Sequence, residues 1–161
     1  MTPEERVLYQ AVITEMQNTP ESSYPNIATN ASIPLYFWIN MGGPSFAPTA
    51  LELQQLVADV NTRFNFANGA RFTFCGVSYL NDSRWYVMNS DTTFRNVNVF
   101  NTYYKQNSIN IYIPQSFPVN FAGGPGGDRI VLLPNESDRT LAHELGHVFG
   151  LIHTLRQYWL A

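Results

Sequence analysis

Lysine, cysteine and histidine are all scarce in this chain. There is one lysine, Lys105, one cysteine, Cys75, and three histidines among 161 residues. The eight arginines are scattered, and the formal net charge is −3 with a pI of about 5.5. No basic stripe exists that could track a phosphate backbone, so nucleic acid is excluded as the expected partner. A single cysteine excludes an intramolecular disulfide. Cys75 lies in a strand-like run and is expected to be a buried small apolar side chain rather than a reactive thiol. No apolar run approaches the length of a membrane span. The opening MTPEERVLYQ lacks a basic region followed by an apolar one, so it does not read as a signal peptide. Two expectations remain: an intracellular protein, or a version whose targeting segment has been removed. Gly123 to Gly127 is glycine-rich but too poor in lysine and hydroxyl residues to be a phosphate loop. Internal repeats and low-complexity tracts are also lacking.

What the chain does have is apolar and aromatic content, 45% and 14%, enough for one domain with a substantial core. Residues 2 to 17 read as a helix, with Thr2 and Glu5 in a capping-box pattern and Pro3 at the first helical position. Residues 18 to 32 are polar and turn-rich, a connector. Ile33 to Ile39 (IPLYFWI) is a nearly continuous apolar run, the pattern of a strand buried on both faces. A loop with Gly42, Gly43, Pro44 and Pro48 follows. Thr49 and Glu52 form a second capping box, and Leu53, Leu56, Val57, Val60 and Phe64 then fall on one helical face. Arg71 to Leu80 reads as the next strand, and strand–helix–strand predicts a parallel pair. Residues 81 to 107 predict a long loop with one helical turn near Val99 to Tyr104. Ile109 to Ile113, stopped by Pro114, and Arg129 to Leu133, ended by Pro134, are further strands; Val119 to Ala122 suits a short edge strand.

All three histidines fall in one stretch, His143 to His153, which reads HELGHVFGLIH. It fits H-E-x-x-H extended by x-x-G-x-x-H. On a helix His143 and His147 project from one face, a spacing suited to two ligands of a tetrahedral zinc ion. Glu144 beside the first ligand is placed to act as general base. Gly150 can take a left-handed conformation that stops the helix and lets His153 return to the same ion from a loop. Three nitrogen ligands leave a fourth position open, the catalytic rather than the structural arrangement of zinc. Five fixed positions should coincide by chance in about one in 10⁵ chains of this size. Asn135 to Asp138 supplies several candidate N-caps. Leu141, Leu145 and Val148 should turn the helix's apolar side to the sheet, leaving the histidines to face a cleft.

HELGHVFGLIH followed by Thr154 resembles the metzincin clan of zinc endopeptidases, and most of all its pappalysin-like (cytophagalysin) family. IPLYFWI, RFTFC, INIYIP and RTLAHELGH follow that family's order of elements, over roughly residues 33 to 155. The resemblance implies an α/β (α+β) fold of metzincin N-terminal-subdomain type. Its parts would be a twisted, mostly parallel sheet of about five strands, an antiparallel edge strand, a backing helix and an active-site helix. Residues 1–32 would be an N-terminal helix and connector, and 33–161 the peptidase-like domain. Carried over residue by residue, His143, His147 and His153 are zinc ligands, Glu144 the general base and acid, and Gly150 the turn glycine. The edge strand near Val119, Phe121 and Gly123 would line the cleft and pair with an extended peptide substrate. The chain departs from the clan in one way. The methionines are Met1, Met16, Met41 and Met88, all upstream of the motif, so none can supply the clan's methionine turn below the zinc. The expectation is a truncated piece or a minimal form without the lower subdomain. Members of the family are usually secreted, which the resemblance extends to this chain.

These residues imply a zinc-dependent endopeptidase acting on protein or peptide substrates. The competing expectation, from a different class, is a zinc-stabilised domain that binds a protein or glycan without turnover, with Trp85 and Tyr86 as candidate contacts. A purely structural zinc site is disfavoured, because such sites fill all four positions with protein ligands and prefer cysteine.

Overall fold

A computed structural model describes residues 31–41, 47–64, 66, 69–87, 98–116, 121–122 and 127–151. The helix expected at 2 to 17, most of the 18–32 connector and His153 lie outside them.

The apolar runs form strands where the pattern places them. Strand β1, Ser32–Asn40, starts one residue before the apolar run. Its alternate residues Leu35, Phe37 and Ile39 are buried to 1% exposure or less. Helix α1, Ala50–Asn61, opens on the expected capping box. The Thr49 hydroxyl accepts from the Glu52 N–H at 3.3 Å, and the Glu52 carboxylate accepts from the Thr49 N–H at 2.7 Å. Two donors that the first helical turn leaves unpaired are thereby satisfied. Leu53, Val57 and Val60 are the buried face of α1. Asn61 joins its end to strand β2, Arg71–Tyr79: the side-chain amide accepts from Phe72 N–H at 2.8 Å and donates to Phe72 O at 2.9 Å.

β1 and β2 are parallel, as strand–helix–strand connectivity predicts. Their register slips once. Leu35 pairs with Phe74 and Tyr36 with Gly76, so Cys75 is the extra residue of a bulge. Cys75 is exposed, which corrects the expectation of a buried side chain. The cause is position: β2 is the last strand on its side of the described sheet, and the bulge residue opposes no partner. Gly76, at φ +144°, completes the bulge. A Cβ there would stand 3.0 Å from Cε2 of Tyr36, whose ring lies across it.

Between β2 and the next strand the chain forms a 3₁₀ turn, Ser83–Trp85, and a short helix α2, Val99–Thr102, where one helical turn is expected. Strand β3, Ile109–Pro114, is buried at every position. Strand β4, Phe121–Ala122, and strand β5, Arg129–Val131, complete a five-stranded sheet of order β2-β1-β3-β5-β4. β1, β2, β3 and β5 run parallel, and β4 pairs antiparallel with β5 at the edge. β5 is shorter than the Arg129–Leu133 run. Leu132 adds one more bond, N–H to Tyr112 O at 2.9 Å, before the chain bends at Asn135, φ +62°. Helix α3, Asp138–Val148, follows. The described part is thus a mixed α/β fold, and none of its helices is long and apolar enough to cross a membrane.

Both faces of the sheet are covered, as a parallel sheet requires. On one face Leu35, Phe37, Ile39, Ile111 and Ile130 pack against Leu53, Val57, Leu141 and Leu145 from α1 and α3. On the other, Tyr112 and Val131 pack with Trp85 and Val99, flanked by Trp38, Phe100 and Tyr103. Buried amides fasten this second layer. Asn40 donates to Asp82 O at 2.8 Å and accepts from Asp82 N–H at 3.0 Å. The Asn110 side chain accepts from Trp38 Nε1 and Lys105 N–H and donates to the Lys105 and Ser108 carbonyls.

The Asp82 carboxylate accepts from Arg84 Nε and from the Tyr103 hydroxyl, each at 2.8 Å. These bonds, Arg84's first, hold its carboxyl well below the usual carboxylate range. A folded-state pKa lower than the unfolded value near 3.9 contributes stability above about pH 4, and that stability is lost as pH falls further. The drop in urea midpoint from pH 7 to pH 3 should therefore be smaller in Asp82→Asn than in wild type. Parallel midpoint–pH curves for the two proteins would show that Asp82 does not fasten this layer.

Candidate metal centre

The helix carrying the histidines is set by both of its ends and by one buried face. Ser137 is the N-cap, accepting from Thr140 N–H at 3.4 Å. Asp138 sits in the first turn, where the helix dipole favours a negative charge, and forms an ion pair with Arg63 just beyond the end of α1. Leu141, Leu145 and Val148 are buried at 0%, 0% and 7% exposure in the core under the sheet, as their spacing predicts. With that face fixed, the histidines turn away from the core: His143 is exposed and His147 half-buried.

The two imidazoles meet. Their Nε2 atoms are 3.1 Å apart, and the rings stand nearly perpendicular at 83° with centroids 4.6 Å apart. Two nitrogens held at about 2.0–2.1 Å from a tetrahedral zinc lie about 3.3 Å from each other. The separation observed here is close to that edge, so the pair fits two positions of such an ion. Nδ1 of His147 lies 2.7 Å from the Leu151 carbonyl oxygen. A carbonyl only accepts, so Nδ1 carries the hydrogen and Nε2 of the neutral ring keeps its lone pair. An outer hydrogen bond of this kind orients histidine ligands in metal sites.

α3 ends in a Schellman motif. Gly150 has φ +88°, Leu151 N–H donates to Gly146 O at 2.9 Å, and Gly150 N–H donates to His147 O at 3.0 Å. The left-handed glycine read from the sequence is therefore present, and the chain turns back directly after His147. His153 lies outside the described residues, and among those residues no group of three or more histidine, cysteine, aspartate or glutamate side chains is gathered.

Glu144 is 5% exposed, although its neighbour His143 is open to solvent. Burial pushes its carboxyl above the ordinary range; the nearby His147 pulls it down, and Glu136 adds to the rise. A buried carboxyl with a raised pKa beside a histidine pair is a common arrangement for a proton-transfer group.

β4 lies beside α3 at the sheet edge, with Phe121 opposite Val131 and Ala122 opposite Ile130. Of the three residues suspected of lining a substrate cleft, only Phe121 falls in this strand; Val119 and Gly123 lie outside the described residues. The aromatic pair suggested for partner binding is not a surface pair. Trp85 is fully buried, tilted against Tyr103 with ring centroids 5.9 Å apart, and Tyr86 is half-buried. Two features escaped the reading of the sequence. Nothing in it marks Leu151 O as the partner of His147, because a backbone carbonyl has no sequence signature. The Arg63–Asp138 pair joins the end of α1 to the start of α3 across 75 positions of sequence.

Gly150 tests the helix end: it meets His147 through a backbone hydrogen bond and contributes no side chain to the imidazole pair. A side chain at φ +88° is strained, so Gly150→Ala should lower unfolding stability by about 1–2 kcal/mol in urea titration. A wild-type midpoint would show that the turn tolerates another conformation. Compared with known proteins, the chain matches no family model and no curated protein.

Proposed function

We propose that this chain is a zinc-dependent metalloendopeptidase of metzincin type, hydrolysing peptide bonds in protein or peptide substrates. The observation that carries the reading is the paired Nε2 atoms of His143 and His147 at 3.1 Å, on a helix whose intervening Glu144 is buried. His143 and His147 would hold the ion together with His153. Zinc, when bound, supplies Lewis acidity, which makes water a stronger acid and a carbonyl more electrophilic.

The remaining work falls to the protein's own groups. Glu144 takes a proton on its carboxylate from the attacking water and delivers it to the leaving amine. Its burial excludes bulk water from that transfer and keeps its basicity above that of an exposed glutamate. Packing of Leu141, Leu145 and Val148 holds the helix rigid, so that carboxylate and imidazoles keep their spacing. The antiparallel edge β4 beside α3 presents backbone groups along which an extended peptide can align by strand addition. Secretion belongs to the same proposal.

Casein digestion with and without a chelator tests the reading. Wild type should cleave, the chelator should stop cleavage, and added Zn²⁺ should restore it. Glu144→Ala should keep zinc content while cleavage falls about 10²–10⁴-fold. Unchanged cleavage in that variant would remove Glu144 from the mechanism. His153→Ala should lose most of the bound metal, measured by elemental analysis after dialysis; wild-type metal content would place the third ligand elsewhere. Zinc bound at full stoichiometry with no chelator-sensitive cleavage would replace the enzyme by a zinc-stabilised binding domain.

A further inference from the structure

Resting on the zinc reading above, we propose that Leu151 is a positioning residue for the His147 imidazole, and that Gly146 is the seat that holds Leu151 in place. A histidine ring has two broad wells about its outer torsion and can offer either nitrogen to a ligand. Here the choice is made by the Leu151 carbonyl, which accepts from Nδ1 at 2.7 Å and leaves Nε2 beside its counterpart on His143.

Leu151 is fixed at two points. Its N–H donates to Gly146 O at 2.9 Å. Its side chain lies over Gly146, where a Cβ would stand 3.3 Å from Leu151 Cδ1 and 3.7 Å from Leu151 Cβ. A side chain at 146 would require Leu151 Cδ1 to give way by a few tenths of an ångström. Leu151 is 63% exposed, so its contact with Gly146 places the backbone more than it fills a core. A methyl group at position 146 would press on Cδ1 and shift Leu151, and the carbonyl would move with it. Gly146 lies between the two ligand positions of the helix, and the atoms a side chain there would meet first belong to Leu151; its proposed effect on His147 passes through that residue.

The test uses the full chain and the variants Gly146→Ala and Gly146→Ala/Leu151→Ala. Long-range ¹H–¹⁵N NMR of the metal-free proteins at pH 8 reads the His147 tautomer, and chelator competition reads zinc affinity. Wild type should show His147 protonated on Nδ1. Gly146→Ala should mix the tautomers and weaken zinc about tenfold. Its metal-free urea midpoint should not fall, because alanine favours a helix interior over glycine. The double variant removes Cδ1 and should recover the tautomer and most of the affinity. A wild-type tautomer and wild-type zinc affinity in Gly146→Ala would overturn the proposal. A wild-type chain that binds no zinc overturns the zinc reading instead, and the tautomer measurement then decides the role of Leu151.

Discussion

Everything at the candidate centre depends on the burial of one face of α3. Leu141, Leu145 and Val148 enter the core under the sheet, and this fixes the rotation of the helix about its own axis. A residue four positions along lies one turn above its neighbour. Once the apolar face is set, His143 and His147 have to emerge together on the side facing away from the core. Each of these leucines, fully removed from water, is worth about 1.5–3 kcal/mol, far more than any surface contact made by the imidazoles. The core therefore positions the site, and the imidazoles follow it.

The sheet supports that arrangement from both sides. β3 is buried throughout, and the layer formed by Trp85, Val99, Phe100 and Tyr103 closes the face that the helices leave open. The buried amides of this second layer are paired: Asn40 with Asp82, and Asn110 with Trp38, Lys105 and Ser108. A buried amide left unpaired would cost about 1–3 kcal/mol, so such amides fix one arrangement of the loop. The Arg63–Asp138 ion pair joins the end of α1 to the start of α3.

Local patterns in the sequence carried much of this fold. The Thr49–Glu52 capping box, the helical turn at Val99 and the left-handed Gly150 depend on residues near one another in the chain, and the parallel β1–β2 pair follows from the strand–helix–strand order. The antiparallel edge strand was expected from the family resemblance, with weak local support, and β4 does pair antiparallel with β5. What could not be read has distant partners. Asn110 meets Trp38 72 positions away, and Asp82 meets Asn40 42 positions away; periodicity is silent about such pairs. Cys75 was misjudged because its apolar neighbours suggest a core strand, whereas the bulge that exposes it arises only from pairing with β1. At the centre itself, the histidine spacing was legible from the helix period, while the carbonyl that orients His147 was not.

The proposed chemistry requires three imidazole nitrogens around one ion, with a fourth position left to solvent. X-ray absorption at the zinc edge of the loaded protein reads this directly. The account predicts three imidazole shells at about 2.0–2.1 Å, one further light oxygen scatterer and no sulfur. A sulfur shell, or a first shell without imidazole, would contradict it.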